Sequence, residues 1–326
     1  MASSSSSPTA MKEGDSSSSP TAMKEGEYVN WLELPRELTS SILIRLGAIE
    51  IVDNAQEVCR SWRHLCKDPS MWRRIVIHNP GEFGDPYYER LCRHTVDRSQ
   101  GGLVEIEFSY FGSDSLLRYI ADSSSKLRSL KVAVGYKITS EGLMDAVSKL
   151  PLLEELEVSY CPLSGDSLKV IGQSCPNLKT LKKNCEGYRR PRDESDDVAL
   201  AIAETMSGLC HLQLFGDRLT DAGLNAILDG CPNLEHLDLR QCFNVNFVGD
   251  LEKRCFERIK VVRRPDDSVR DYPFSATVND DDVCSSDDDY SDVDIMSEDE
   301  FYGDLSEDAC DTSDFDPYDD YDDLLY

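Results

Sequence analysis

Apolar positions recur along this chain in two different rhythms. Between residues 30 and 78 the spacing is helical: Leu38, Ile42 and Leu46 fall four apart, and Leu43 and Ile44 widen the stripe. Leu34-Pro35 opens the first helix, since proline is tolerated in a first turn. A second helix is expected to begin near Asp53, with Asp53 as cap and Gln56 completing a capping box. Ala55, Val58, Cys59, Trp62, Leu65 and Cys66 then share a face. Asp68-Pro69 restarts a third, short helix carrying Met71 and Trp72. Three such helices present more apolar surface than a unit of about 45 residues can hide. Leu34, Ile42, Leu43, Trp62 and Trp72 therefore need cover from another domain or another protein, with Trp62 the more core-like of the two tryptophans.

From residue 103 the rhythm becomes LxxLxL. The cores are Leu103-Ile106-Phe108, Leu127-Leu130-Val132, Leu153-Leu156-Val158, Leu178-Leu181, Leu209-Leu212-Leu214, Leu234-Leu237-Leu239 and Phe256-Ile259-Val261. Their first positions are separated by 24, 26, 25, 31, 25 and 22 residues. A period near 25 is a repeat signature in which short parallel strands stack inside and helices return outside. Positions 1, 4 and 6 of each core face inward. Ser113, Ser140, Ser164 and Thr220 are expected to cap the outer helices. One repeat departs: after Leu181 the inward slot holds Lys183, which is expected to bend out to water or to distort the strand. If the strand is regular there, Lys183→Leu should hold or raise the melting temperature. The long interval that follows, residues 182–197, is a candidate recognition loop.

Composition changes the picture at the two ends. Residues 4–15 and 16–27 are tandem copies of one Ser-rich twelve-residue unit, too poor in apolar groups to order. The formal charge is −28, and residues 266–326 hold 24 of the 62 acids against one base, Arg270. That tail is expected to be disordered and would repel nucleic acid and anionic membrane. Ser285, Ser286, Ser291 and Ser297, each followed by acids, are candidate phosphorylation sites. No signal peptide or membrane-spanning apolar run is evident, so the twelve cysteines are expected to be reduced, in the nucleus and/or cytoplasm.

LPRELTSSILIRL followed by VCRSWRHLCKDPSMWRRI resembles an F-box. The repeats, with Cys161 and Cys242 after the strand cores and Cys-Pro-Asn-Leu at 175–178 and 231–234, resemble the cysteine-containing leucine-rich repeats of F-box proteins. Together they are similar to the plant Skp-interacting-partner proteins. The expected fold class is α/β: a three-helix F-box, then a short leucine-rich-repeat solenoid with parallel strands inside and helices outside, then a disordered acidic tail. The expected boundaries are a leader at 1–29, the F-box at 30–78, a linker at 79–102, the repeats at 103–265 and the tail at 266–326.

The resemblance implies a substrate receptor of a Skp–cullin–F-box ubiquitin ligase, a subunit without catalysis of its own. Leu34, Pro35, Leu38, Ile42, Leu43 and Leu46 would meet the Skp-type adaptor, and through it a cullin. Val58, Cys59, Trp62 and Trp72 would form the F-box core. Outward strand positions 3 and 5, extended by position 7, give the candidate target face: Glu105, Glu107, Lys131, Glu155, Glu157, Lys182, His211, Gln213, Phe215, His236, Asp238, Arg240, Arg258 and Lys260. Ser129 and Thr180 lie in the same rows. No cofactor or metal is expected. A Cys210–His236 nucleophile lacks an orienting third group. The rival readings are a non-degradative binding scaffold and an acidic-tail chaperone of basic proteins.

Overall fold

The computed structural model describes residues 34–79, 85–135, 137–188, 193–274, 276, 278 and 279. The leader, the four candidate serines and Arg189, Arg190 and Arg192 of the long interval lie outside them. The chain divides at residue 279, and all described residues belong to the first unit, 1–279.

Helix α1 is Arg36–Leu43, with Pro35 at its N-cap. The second helical stretch starts earlier than the expected cap at Asp53. It runs through α2 (Ala48–Glu50), a π-turn (Ile51–Ala55) and α3 (Gln56–Val58), then breaks at Cys59, whose backbone is extended. The Cys59 sulfur accepts from Trp62 N and so caps α4, Arg60–Cys66. Asp53 and Gln56 instead reach sideways: Asp53 accepts from the Tyr87 hydroxyl at 2.6 Å, and Gln56 from Arg98 at 3.0 Å. A 3-10 turn, Pro69–Trp72, is capped by Asp68. The tryptophans exchange their expected roles. Trp72 is fully buried and donates Nε1–H to Cys66 O at 2.8 Å, whereas Trp62 is half-buried. Val58, expected in the core, is 59% exposed.

The segment expected to end the F-box and the linker after it are part of the repeat array. Residues Arg74–His78 form β1, the first strand of an eight-stranded parallel sheet, and Pro86–Arg98 form α5, its outer helix. Ile75 and Ile77 of β1 stand opposite Ile106 and Phe108 of β2, Glu105–Ser109. Trp72-Ile75-Ile77 therefore repeats the 1-4-6 spacing, with tryptophan in the first slot. The array continues as α6 (Asp114–Ser123), β3 (Ser129–Ala133), α7 (Ser140–Val147), β4 (Glu155–Ser159), α8 (Gly165–Ser174) and β5 (Thr180–Asn184). It goes on through β6 (Gly187–Tyr188), α9 (Asp197–Thr205), β7 (His211–Gln213), α10 (Asp221–Gly230), β8 (His236–Asp238), α11 (Gly249–Arg258), β9 (Val261–Arg263) and β10 (Val278–Asn279). Sheet order is β1-β2-β3-β4-β5-β7-β8-β9, and β10 pairs separately with β6. Ser113, Ser164 and Thr220 cap helices, but Thr139 rather than Ser140 caps α7, leaving Ser140 to bond Ser167 across repeats at 2.8 Å.

Beyond six of the strands the ladder continues, one residue past the ends of β2 to β5 and three past those of β7 and β8. The N–H groups of Tyr110, Val134, Tyr160, Cys185, Gly216 and Gln241 each donate to a carbonyl of the next turn, Ala133, Ser159, Asn184, Phe215, Arg240 and Pro265. Tyr110, Val134, Tyr160 and Gln241 take left-handed backbone, φ 54–67°, to do so. This conformation costs roughly 1–2 kcal/mol for a residue with a Cβ. A hydrogen bond repeated at every turn offsets it. Gly216 fills the slot where a Cβ would meet Cys185 O at 2.7 Å.

Three further expectations change. In the last repeat, Leu237 pairs with Val262, so the inward positions are Ile259 and Val262. Phe256 lies on α11, 48% exposed, because the interval is 25 residues rather than 22. Lys183 does not leave its inward slot beside Val158. Its ammonium lies 3.1 Å from buried Asp217 and donates to Cys185 Sγ at 2.9 Å. Burial opposes that charge, but Cys185 and Asp217 outweigh it and hold the ammonium above its ordinary range. Finally, the acidic tail does not begin as free chain at 266: Pro265 and Tyr272 are buried on the array.

One apolar cluster runs from Leu43 to Ile259 without interruption. The F-box and the repeats thus share a core, and the cover that the F-box helices were expected to need comes in part from the repeats. Trp72→Ala should cost about 3–5 kcal/mol, and hydrogen exchange should show lost protection in β2 as well as in α4. Lys183→Leu, contrary to the sequence expectation, leaves Asp217 buried and unpaired. It should lower stability by about 3–5 kcal/mol in denaturant titration, with most of the loss recovered in a Lys183→Leu/Asp217→Leu double variant.

Candidate functional site

Two surfaces carry the sequence-predicted site residues. The first is one side of α1. Leu38 is 53% and Ile42 39% exposed, with Ile44, Leu46 and Pro35 also open and Leu34 half-buried. Val58 adds to the exposed apolar residues of this N-terminal region. Leu43 does not belong with them: it points the other way and is completely buried in the chain's own core. Exposed large aliphatic side chains on a short helix whose other side is already buried make a surface suited to a protein partner.

The second surface is the outer face of the sheet. Parallel register aligns its side chains into two rows. Row 3 runs Arg74, Glu105, Ser129, Glu155, Thr180, His211, His236, Val261. Row 5 runs Val76, Glu107, Lys131, Glu157, Lys182, Gln213, Asp238, Arg263. The structure thus brings together most of the predicted target residues. Arg258 and Lys260 are not among them, because the last register shifts. Arg258 ends α11 and bonds Leu228 O, and Lys260 pairs with Glu235 at the sheet margin at 2.8 Å. Val261 and Arg263 take the places expected for them. Arg74 and Val76 were missed because β1 was not recognised; the 1-4-6 spacing from Trp72 was the available signal.

The charges on this face are largely paired with one another. Arg74 meets Glu105 at 3.2 Å, Lys131 meets Glu155 at 3.3 Å and Lys182 meets Glu157 at 2.9 Å. Gln213 donates to Asn184 at 2.6 Å and Asn184 to Ser159 at 2.7 Å. His211 and His236 stack, with centroids 4.4 Å apart. Desolvation, reinforced by His236, lowers the His211 pKa below its ordinary value.

Phe215 and Arg240, expected to extend the target face, are buried. Ser268, Asp271 and Tyr272 lie against them. Tyr272 stacks on Phe215 with centroids 4.0 Å apart and an interplanar angle of 5°. Arg240 forks onto Asp238 and also donates to Asp271 at 2.7 Å and to Ser268 O at 3.1 Å. Asp238 is thereby engaged as well. Desolvation opposes the Asp271 charge, but its own backbone N–H, Arg240 and Arg263 hold its carboxyl below the usual range.

Among the described residues, no group of three or more His, Cys, Asp or Glu gathers as metal ligands, and no helix is long and apolar enough to cross a membrane. Cys210 donates to Gly208 O rather than to a histidine. Burial raises the thiols of Cys161, Cys175 and Cys231 to about 11, which makes them packing groups rather than nucleophiles.

Comparison with known proteins agrees with this arrangement. Residues 31–78 match the F-box-like family model. The chain is 58% identical to F-box protein SKIP19 of Arabidopsis thaliana over 325 residues, 99% of this chain and 100% of that one. It is 62% identical over 246 residues to putative F-box/LRR-repeat protein 23 of the same plant, covering 73% of this chain and 54% of the relative. It is 30% identical over 266 residues to F-box protein SKIP1, also of Arabidopsis thaliana, covering 73% and 87%.

His211 gives the strand face a pH dependence. A histidine whose folded pKa is lowered binds its proton more readily when unfolded. Its favourable contribution is therefore present above its unfolded pKa, about 6.5, and is lost as pH falls through the folded value. An NMR titration should place His211 below 6.5, and His236→Ala should move it upward.

Proposed function

Because this chain belongs to the F-box/leucine-rich-repeat family, whose members serve SCF-type ubiquitin ligases as substrate adaptors, we propose a division of labour between its two surfaces. The exposed side of α1, with Leu34, Pro35, Leu38, Ile42 and Leu46, docks the Skp-type adaptor and through it the cullin. The strand rows from Arg74 to Arg263 receive a target protein for ubiquitination. The observation that carries this reading is the single uninterrupted core joining the two. A receptor contributes no bond chemistry. It raises the effective concentration of a target lysine at another subunit's active site. That effect needs a fixed geometry between the adaptor and the target, which a shared core supplies and a flexible linker does not.

Association with an aliphatic adaptor groove would bury Leu38 and Ile42, which the chain itself leaves open. The free, buried thiols fit a reducing compartment, and the nucleus or cytoplasm is where we place the assembly. Target capture through the strand rows rests on their rigidity and on charge register, since complementary charge sets encounter rate and orientation more than affinity.

Leu38→Asp with Ile42→Asp should weaken adaptor binding by at least ~2 kcal/mol, about thirtyfold, on the scale of interface hot spots. Melting should hardly change, because neither side chain is in the core. Leu43→Ala serves as the contrast: it should lower the melting temperature. Titration calorimetry with purified adaptor reads the first effect. Undiminished binding by the double aspartate variant would remove α1 from the interface.

A further inference from the structure

The stretch after the last repeat is the one part of the described chain that neither repeat packing nor adaptor docking accounts for. It leaves the array at Pro265, turns back, and lies across the loops that follow the strands. It grips the array through main-chain and side-chain groups arranged around a turn, which the Tyr272 N–H closes onto Val269 O at 3.0 Å. Ser268 offers a carbonyl to Arg240 at 3.1 Å, and Ala276 offers one to Gln241 at 3.0 Å. Asp271 places one carboxylate oxygen on Arg240 at 2.7 Å and the other on Arg263 at 2.8 Å. Tyr272 stacks on Phe215, and Phe274 meets Tyr160 edge-on at 5.9 Å. Val278–Asn279 then adds as a strand beside Gly187–Tyr188.

We propose that the ledge of Tyr160, Phe215, Arg240 and Arg263 is a docking site for acidic–aromatic peptide segments, Asp-Tyr-x-Phe in pattern, and that residues 271–274 of this chain occupy it. The proposal rests on the target-binding reading above and names a class of ligand for it. Each element of the ledge selects one feature. Two guanidinium groups clamp a single carboxylate, the geometry arginine is suited to. The Phe215 ring, with the Arg240 guanidinium 5.6 Å from its centroid, offers a flat face that rewards an aromatic ring over an aliphatic one. The edge of β6 takes main-chain pairing from Val278–Asn279, as in strand addition to a sheet edge. The occupant is tethered by only a few residues from Pro265, so its effective concentration is high. A partner's segment reaches the site when this strap opens. The strap can open without unfolding the array, because it contributes no side chain to the continuous core and its far end is held by two-residue pairing.

The test uses the full chain and a fluorescein-labelled synthetic peptide of residues 266–279. In a Tyr272→Ser/Phe274→Ser variant the strap is released, and fluorescence polarisation should show saturable binding at least tenfold tighter than to the wild-type chain. A peptide carrying Asp271→Lys should lose that binding at least tenfold. A variant that melts cooperatively, as the wild type does, yet leaves the peptide free overturns the proposal and makes the strap a structural cap. Hydrogen exchange on the unmutated chain decides independently of how the variant folds. Amides of Val269–Asn279 should exchange well before those of β7 and β8. Exchange of all of them together, only on global unfolding, also overturns the proposal. Neither adaptor nor target enters these measurements, so their failure leaves the strand rows and α1 to be judged on their own tests.

Discussion

A stack of parallel strands has two ends, and each end exposes an apolar layer and a row of unpaired peptide groups. Everything else in this molecule depends on how those ends are covered. At the N-terminal end the cover is the F-box itself. Trp72 occupies the slot that leucine fills in later repeats, Ile75 and Ile77 stack on Ile106 and Phe108, and Arg98 lies over the indole at 5.6 Å. Capping repeats are a general requirement of such arrays, since nearest-neighbour contact is their main source of stability. Here the cap is also the adaptor-binding module. On the proposed division of labour, stability and positioning are the same interaction: a change that loosens Trp72 would loosen the angle between adaptor and target.

How much of this was legible in the sequence varies by element, for physical reasons. The strand cores from Leu103 to Leu239 could be read because six aliphatic layers keep one spacing. The strand at Arg74–His78 escaped because its first slot holds a tryptophan that also completes a helical motif, so two rhythms overlap on the same residues. The last repeat was misplaced because Phe256 lies three residues before Ile259, a spacing that imitates the motif; the pairing of Leu237 with Val262 decides against it. Asp53 and Gln56 had the spacing of a capping box, yet both bond to α5, a long-range use that local pattern cannot reveal. The segment 266–276 was hidden by averaging. Its surroundings are acidic enough to suggest free chain, while Tyr272 and Phe274 supply the few contacts that hold it.

Lys183 shows why an exception in a repeat need not be a defect. An ammonium in an aliphatic slot is unfavourable alone, and the sequence offered no partner within the same strand. The partner is Asp217, 34 residues on, in the turn after β7. Asp217 also accepts from Leu219 N at 3.1 Å and so shapes that turn. The pair links β5 to the following repeat across the longest interval in the array, where the 31-residue spacing weakens regular stacking. A buried pair of this kind gains little over a hydrophobic pair in net stability, but it penalises any register in which the two do not meet.

The same reasoning divides the outer face of the sheet. Between β1 and β5 the carboxylates of Glu105, Glu155 and Glu157 are answered by Arg74, Lys131 and Lys182 at partly exposed positions. Exposed pairs are worth about 0–1 kcal/mol each, so an arriving protein can exchange one partner for another at small cost. From Phe215 to Arg263 the charges are held differently. Arg240 is nearly inaccessible, shared between Asp238 and Asp271, and covered by an aromatic stack. Removing one member there strands a buried charge, so exchange requires a replacement carboxylate rather than water. On the proposed reading, the first half of the face would exchange partners weakly and the second half would accept few. Discrimination between targets would then be concentrated where the chain has already supplied an occupant of its own.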